Sequence, residues 1–260
     1  MKKLIILLFL LFANLYSQEI LLLNSDYIPS TDTVFIFSPK TQNVEKLPLI
    51  IMLHGYAGNY KQWSEMIDLQ KYSDSLNIVI ACPDAFFDSY YINSPVKENS
   101  QYESFFFEAF LPSVIEKYKI DKSKLFITGL SMGGHGAISF FLKRPDLFVT
   151  AASTSGLLDL TAFPNRNTIK SAAGNVEDYS SVWEENSCIN LLKNIEGKNK
   201  TLYIDCGTED FLFNTNVKFL EKCNELKINI KNKFQPGVHN HDYWKKSIID
   251  HFTYFCSFLN

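Results

Sequence analysis

The apolar positions of this chain fall into short continuous runs separated by longer stretches with a helical period, which predicts strands and helices in alternation. Pro48 to Leu53 (PLIIML), Ile78 to Cys82 (IVIAC), Leu125 to Thr128, Phe148 to Ser153 (FVTAAS) and Thr201 to Cys206 (TLYIDC) read as strands buried on both faces. Thr33 to Phe37 (TVFIF) alternates and fits an edge strand, and Ile228 to Phe234 fits an alternating last strand. Between them, Asn59 to Leu76, Tyr102 to Tyr118 and Asn214 to Leu226 carry helical spacing, and an amphipathic helix closes the chain from His241. Pro112 inside the second of these predicts a kink near residue 108, whose carbonyl loses its donor. This alternation predicts an α/β fold with a mostly parallel central sheet and helices on both faces.

Two stretches break the rhythm. Ala85 to Gln101 is too polar for a regular element, yet it holds Phe86, Phe87, Tyr90 and Tyr91, which makes it a candidate wall for a binding site. Leu157 to Asn186 has no clean period and includes Pro164 and Gly174, so most of it reads as an insertion over such a site, with a helix resuming around Val182 to Asn194.

The amino terminus stands apart. Lys2 and Lys3 precede an unbroken apolar run from Leu4 to Ala13, and Ser17 leads into the polar pair Gln18-Glu19. That order predicts a signal peptide over residues 1–17, a domain over residues 18–260 and an exported chain, because ten apolar residues fall short of the ~20 that span a bilayer. Net charge is -3, without a cationic run, so the chain lacks the electrostatic footprint of a nucleic-acid binder. Arg144 and Arg166 are the two arginines, a scarcity that argues against bidentate clamping of a phosphate or carboxylate substrate. Five cysteines (82, 188, 206, 223 and 256) leave at least one unpaired within a monomer, and none are spaced for a metal or redox motif.

The chemistry concentrates at Gly129-Leu130-Ser131-Met132-Gly133. A strand that turns at once into a helix forces the central serine into a strained conformation and exposes its hydroxyl, and the bracketing glycines avoid collisions. Downstream, Gly207-Thr208-Glu209-Asp210 follows a strand, and Pro236-Gly237-Val238-His239 forms a turn. Ser131, Asp210 and His239 are therefore candidates for nucleophile, orienting acid and base, in an order met in α/β hydrolases. Glu209 and Asp205 compete with Asp210. The amides of Met132 and Tyr56 are candidate oxyanion donors, one at the helix start and one after the early strand. His54, Tyr90 and Tyr91 are candidate substrate contacts, although a histidine before a turn glycine more often braces its loop. His135 and His251 lie on helices and read as structural. His239 and His241 lack a carboxylate or thiol at ligand spacing, so neither a metal nor any cofactor is expected.

Four motifs in order, LHGYAGN, GLSMGGHGA, CGTEDFL and PGVHNHDYW, resemble the esterase D-like α/β hydrolases, from about residue 20 onward. The resemblance implies the α/β-hydrolase fold, the triad and the oxyanion donors named above. It implies a serine carboxylesterase acting on small-molecule or polysaccharide-linked esters; an acyltransferase to a sugar and an S-formylglutathione hydrolase-like thioesterase remain as alternatives. Relatives usually carry tryptophan where His241 stands.

Overall fold

In a computed structural model, residues 18–40 and 45–259 are described. The signal-peptide expectation over residues 1–17 lies outside them. Among the described residues, eight strands form one sheet: β1 (Gln18–Leu23), β2 (Asp32–Phe37), β3 (Leu47–Leu53), β4 (Val79–Pro83), β5 (Ile120–Leu130), β6 (Thr150–Thr154), β7 (Thr201–Gly207) and β8 (Asn229–Gln235). Their order is β1-β2-β4-β3-β5-β6-β7-β8. The pairs β1-β2 and β2-β4 are antiparallel and the others parallel.

Alternation along each strand divides the core in two. In β3, Ile51 and Leu53 join Val79, Leu125 and Ile127 on one face, packed under Phe105, Phe106, Phe140 and Phe219. Ile50 and Met52 point the other way, with Ile80, Cys82 and Phe126, against Trp63, Ile248, Phe252 and Phe255. A strand that buries both sets has no polar face to offer, which is why its sequence reads as a continuous apolar run.

The helices are α1 (Gln62–Met66), α2 (Leu69–Leu76), α3 (Tyr102–Phe105), α4 (Leu111–Lys117), α5 (Met132–Lys143), α6 (Asn167–Ala173), α7 (Ser180–Asn186), α8 (Cys188–Leu191), α9 (Phe213–Glu225) and α10 (His241–Cys256). Several depart from expectation. The helix expected over 59–76 is two, because Ile67 is extended and the Asp68 carboxylate accepts from the Lys71 amide to start α2. The helix expected over 182–194 is also divided, at Ser187. Thr33 to Phe37 is not at the edge, since β1 pairs along it; β1 escapes a sequence reading because its short apolar run, Ile20 to Leu23, does not alternate in polarity.

The kink expected from Pro112 takes a particular form. Residues Phe106–Phe110 make a turn of π-helix between α3 and α4, and the Leu111 amide reaches back to the Phe106 carbonyl. The wider turn spreads the defect left by the missing proline amide.

One buried carboxyl ties β2 to the aromatic loop. Asp32 accepts from the amides of Ala85 (3.1 Å) and Asp84 (3.4 Å) and from the Tyr102 hydroxyl (3.3 Å). Burial, with Asp84 nearby, raises its pKa to about 7 despite those donors. A carboxyl with a raised folded pKa holds its proton longer in the native state than in the unfolded one. Its stabilisation is therefore full below about pH 4 and is lost as pH rises through about 7. Compared with Asp32→Asn, the wild type should lose about 2–3 kcal/mol of stability between pH 5 and pH 8. Urea denaturation of both at the two pH values measures this, and parallel changes would refute it.

Candidate active site

The carboxyl ends of β3, β5, β7 and β8 meet at one edge of the sheet, where a parallel α/β fold leaves a crevice. At the end of β5 the chain turns sharply into α5, and Ser131 at the turn has φ 54° and ψ -115°. Such a backbone costs about 1–3 kcal/mol and points the side chain away from both flanking elements. The glycines answer different contacts. A Cβ on Gly129 would stand 2.2 Å from the Gly133 carbonyl oxygen, across the turn, whereas one on Gly133 would stand 2.3 Å from the Leu53 carbonyl oxygen. The end of β3 thus packs directly on the elbow, and a Cβ on Gly55 would lie 3.5 Å from that of Ser131.

The structure brings Ser131, His239 and Asp210 together. His239 Nε2 lies 2.9 Å from Ser131 Oγ, and Nδ1 lies 2.8 Å from Asp210 Oδ2. The Asp210 carboxylate is fully buried and its Oδ1 accepts from the Leu212 amide at 2.8 Å, so the carboxyl has no freedom to turn away. The imidazole is held from two sides: Phe211 lies 4.6 Å from it between centroids and Trp244 meets it edge-on at 4.9 Å. Trp244 lies on the apolar face of the closing helix, where its period marks it as core, and Phe211 is marked only by adjacency to Asp210.

The two loops carrying the acid and the histidine are joined. The Thr208 amide donates to Gln235 O (2.9 Å), the Glu209 amide to Gly237 O (3.0 Å), and the Gly237 amide to the Glu209 carboxylate (2.5 Å). That last bond, ahead of the Thr208 hydroxyl, holds the Glu209 carboxyl below its ordinary pKa. Glu209 is thus occupied as a loop clamp. The other competitor, Asp205, is buried in β7 and faces His251 (2.5 Å) on the opposite side of the sheet from α5. Thr154 donates to Asp205 Oδ1 (2.6 Å), and Thr128 Oγ1 lies 2.6 Å from His251 Nδ1. His135 is buried too, with Nε2 2.7 Å from Asn186 O, and burial lowers its pKa to about 4. Both histidines brace helices, as their positions suggested.

The substrate contacts expected of His54 and Tyr91 are corrected, because both side chains are buried. The His54 ring spans the carbonyls of Gly55 (2.7 Å from Nδ1) and Asp84 (at Nε2), and burial lowers its pKa. Tyr91 donates to His54 O at 2.9 Å, its ring filling the space that Gly136 leaves on α5. Tyr90 is buried as well, with its hydroxyl 2.7 Å from Thr168 Oγ1. Reading aromatics in a polar loop as a wall overlooked that φ is positive at Ala85, Phe86, Tyr90 and Tyr91, which folds the loop back on itself. The exposed aromatics around the site are instead Tyr56 and Phe87, 4.8 Å apart, and Phe211.

Among the described residues, the amides of Tyr56 and Met132 have no hydrogen-bond partner; Met132 opens α5, whose first internal donor is His135 to Ser131 O. Both can serve an anion at Ser131. Within the insertion, Arg166 and Thr168 at the start of α6 reach the crevice, and α6 and α7 pack around the buried Trp183.

Residues 25–255 match the family described as "Putative esterase". The chain belongs to that family. It is an esterase on the α/β-hydrolase fold. It is 26% identical over 234 residues to an acetyl esterase of Caldicellulosiruptor saccharolyticus, covering 83% of this chain and 85% of that one. The fold resembles the fluorophosphonate-binding serine hydrolase FphF of Staphylococcus aureus, with TM-score 0.81 and 22% identity over 92% of this chain and 98% of that one. A ferulic acid esterase structure gives TM-score 0.78 and 22% identity over 93% and 99% of the two chains.

Proposed function

We propose that this esterase is exported and removes acetyl and other short acyl groups from carbohydrate-linked esters through an acyl-enzyme on Ser131. The observation that carries the reading is the unbroken line of hydrogen bonds from Ser131 Oγ through His239 to the buried Asp210 carboxylate. In it, His239 Nε2 takes the serine proton as Oγ attacks the ester carbonyl, and Asp210 holds the ring so that this nitrogen faces the serine. The tetrahedral oxyanion accepts from the amides of Tyr56 and Met132, each supplying on the order of 3 kcal/mol to the transition state. His239 then gives its proton to the departing alcohol oxygen. Water repeats the cycle on the acyl-enzyme, releasing the acid and the free serine.

The acetyl group is supported by the acetyl esterase relative. Export is supported by the lysine start and the apolar run before Gln18, and it favours a polysaccharide-linked ester over a cytosolic glutathione thioester. Cells expressing the whole chain should yield active protein in the periplasm or medium, and it should release acetate from acetylated sugars. Recovery in the cytoplasm alone removes the export part. Hydrolysis of p-nitrophenyl acetate without release from any acetylated sugar removes the substrate part.

A further inference from the structure

The two arginines are treated differently by the fold. Arg144 is paired with Asp146, at 3.1 Å from Nε and 2.9 Å from Nη2. Arg166, half-buried at the crevice, has no carboxylate within ion-pair distance among the described residues. Its Cζ lies 4.9 Å above the Phe211 ring, which in turn rests 4.6 Å from His239. Its Nε donates to Thr168 Oγ1 at 3.3 Å, and Thr168 is held by the Tyr90 hydroxyl. Those contacts fix the plane of the guanidinium and leave Nη1 and Nη2 without an acceptor among the described residues.

The nearby acids are already engaged. Asp88 is bound by Lys97 (2.9 Å) and Ser171 (2.5 Å), Glu209 by the Gly237 amide, and Asp210 by His239. A positioned, half-desolvated guanidinium with both terminal amino groups free presents the fork that a carboxylate fills. We propose that Arg166 is a specificity-determining residue that binds a carboxylate on the substrate, outside the ester being cleaved. The inference rests on the esterase reading above. Its rival is that Arg166 only pins the insertion to Phe211, which would affect every ester alike.

The test compares charged and neutral esters of the same shape. One pair places the carboxylate on the acyl side, mono-p-nitrophenyl succinate against the p-nitrophenyl ester of succinamic acid. The other places it on the alcohol side, 4-acetoxybenzoate against 4-acetoxybenzamide. In one pair, Arg166→Gln should lower the acid-to-neutral ratio of kcat/KM by about tenfold or more, mostly through KM, and Arg166→Lys should recover part of it. The wild-type ratio should also fall as salt is raised, a readout that needs no variant. Ratios unchanged by the substitution in both pairs overturn the assignment of Arg166 while neutral-ester turnover leaves the esterase reading standing. Absence of turnover of every ester by the wild type overturns both.

Discussion

Ser131→Ala is expected to fold normally and to lose ester hydrolysis by a factor on the order of 10⁵. Alanine accepts the φ of 54° no less readily than serine does, and removing Oγ opens no core cavity, because that oxygen faces the crevice. What is lost is the atom that forms the covalent bond. The two amides and the crevice remain and supply the residual rate above that in water. The assay is p-nitrophenyl acetate turnover at matched concentration, with circular dichroism to show that the variant is folded. Retention of more than about a hundredth of the rate would remove Ser131 as nucleophile.

His251→Ala is expected to cost about 3–5 kcal/mol of stability, far from the crevice. His251 and Asp205 are both wholly inaccessible, and their 2.5 Å contact joins α10 to β7, with Thr128 of β5 and Thr154 of β6 on the same network. Removing the imidazole leaves a buried carboxyl oxygen and the Thr128 hydroxyl short of partners, and opens space under Tyr203. In a domain of this size that lowers the melting temperature by about 10 °C. Calorimetry against His241→Ala, an exposed position at the start of the same helix, separates this from any general effect of altering α10. A shift under about 3 °C would mean that the network is not a support of the sheet.

Strands buried on both faces were the most readable part of the chain, because the apolar residues of β3, β4, β5, β6 and β7 fill two layers in alternation and so leave short runs rich in apolar side chains. β1 was not, since an edge strand with Ile20 and Leu22 exposed carries no alternation of polarity. Ser131 was legible from its glycines and His239 from its turn, both being consequences of local backbone geometry. Asp210 was separable from Asp205 and Glu209 only by position, and it is the contacts of those two, with His251 and Gly237, that explain why they are spent elsewhere. Tyr91 misled, and His54 stayed open between contact and brace, for one physical reason. Their polar tips are satisfied by backbone carbonyls brought near by folding, and a side chain's partner across the fold leaves no mark in the sequence around it. Arg166 was not legible, since two arginines in the whole chain read against an arginine clamp, and its place beside Phe211 depends on how the insertion folds over the edge of the sheet.

The central claim is that a covalent bond forms at one hydroxyl. The most direct measurement is to quench the enzyme with acid during turnover of p-nitrophenyl acetate and map the acetyl group by peptide mass spectrometry. A single acetyl on the peptide containing Ser131, formed with a burst of p-nitrophenolate and absent from Ser131→Ala, is the result expected. Rapid turnover with no acetyl on that peptide, or with the group on another side chain, would contradict it.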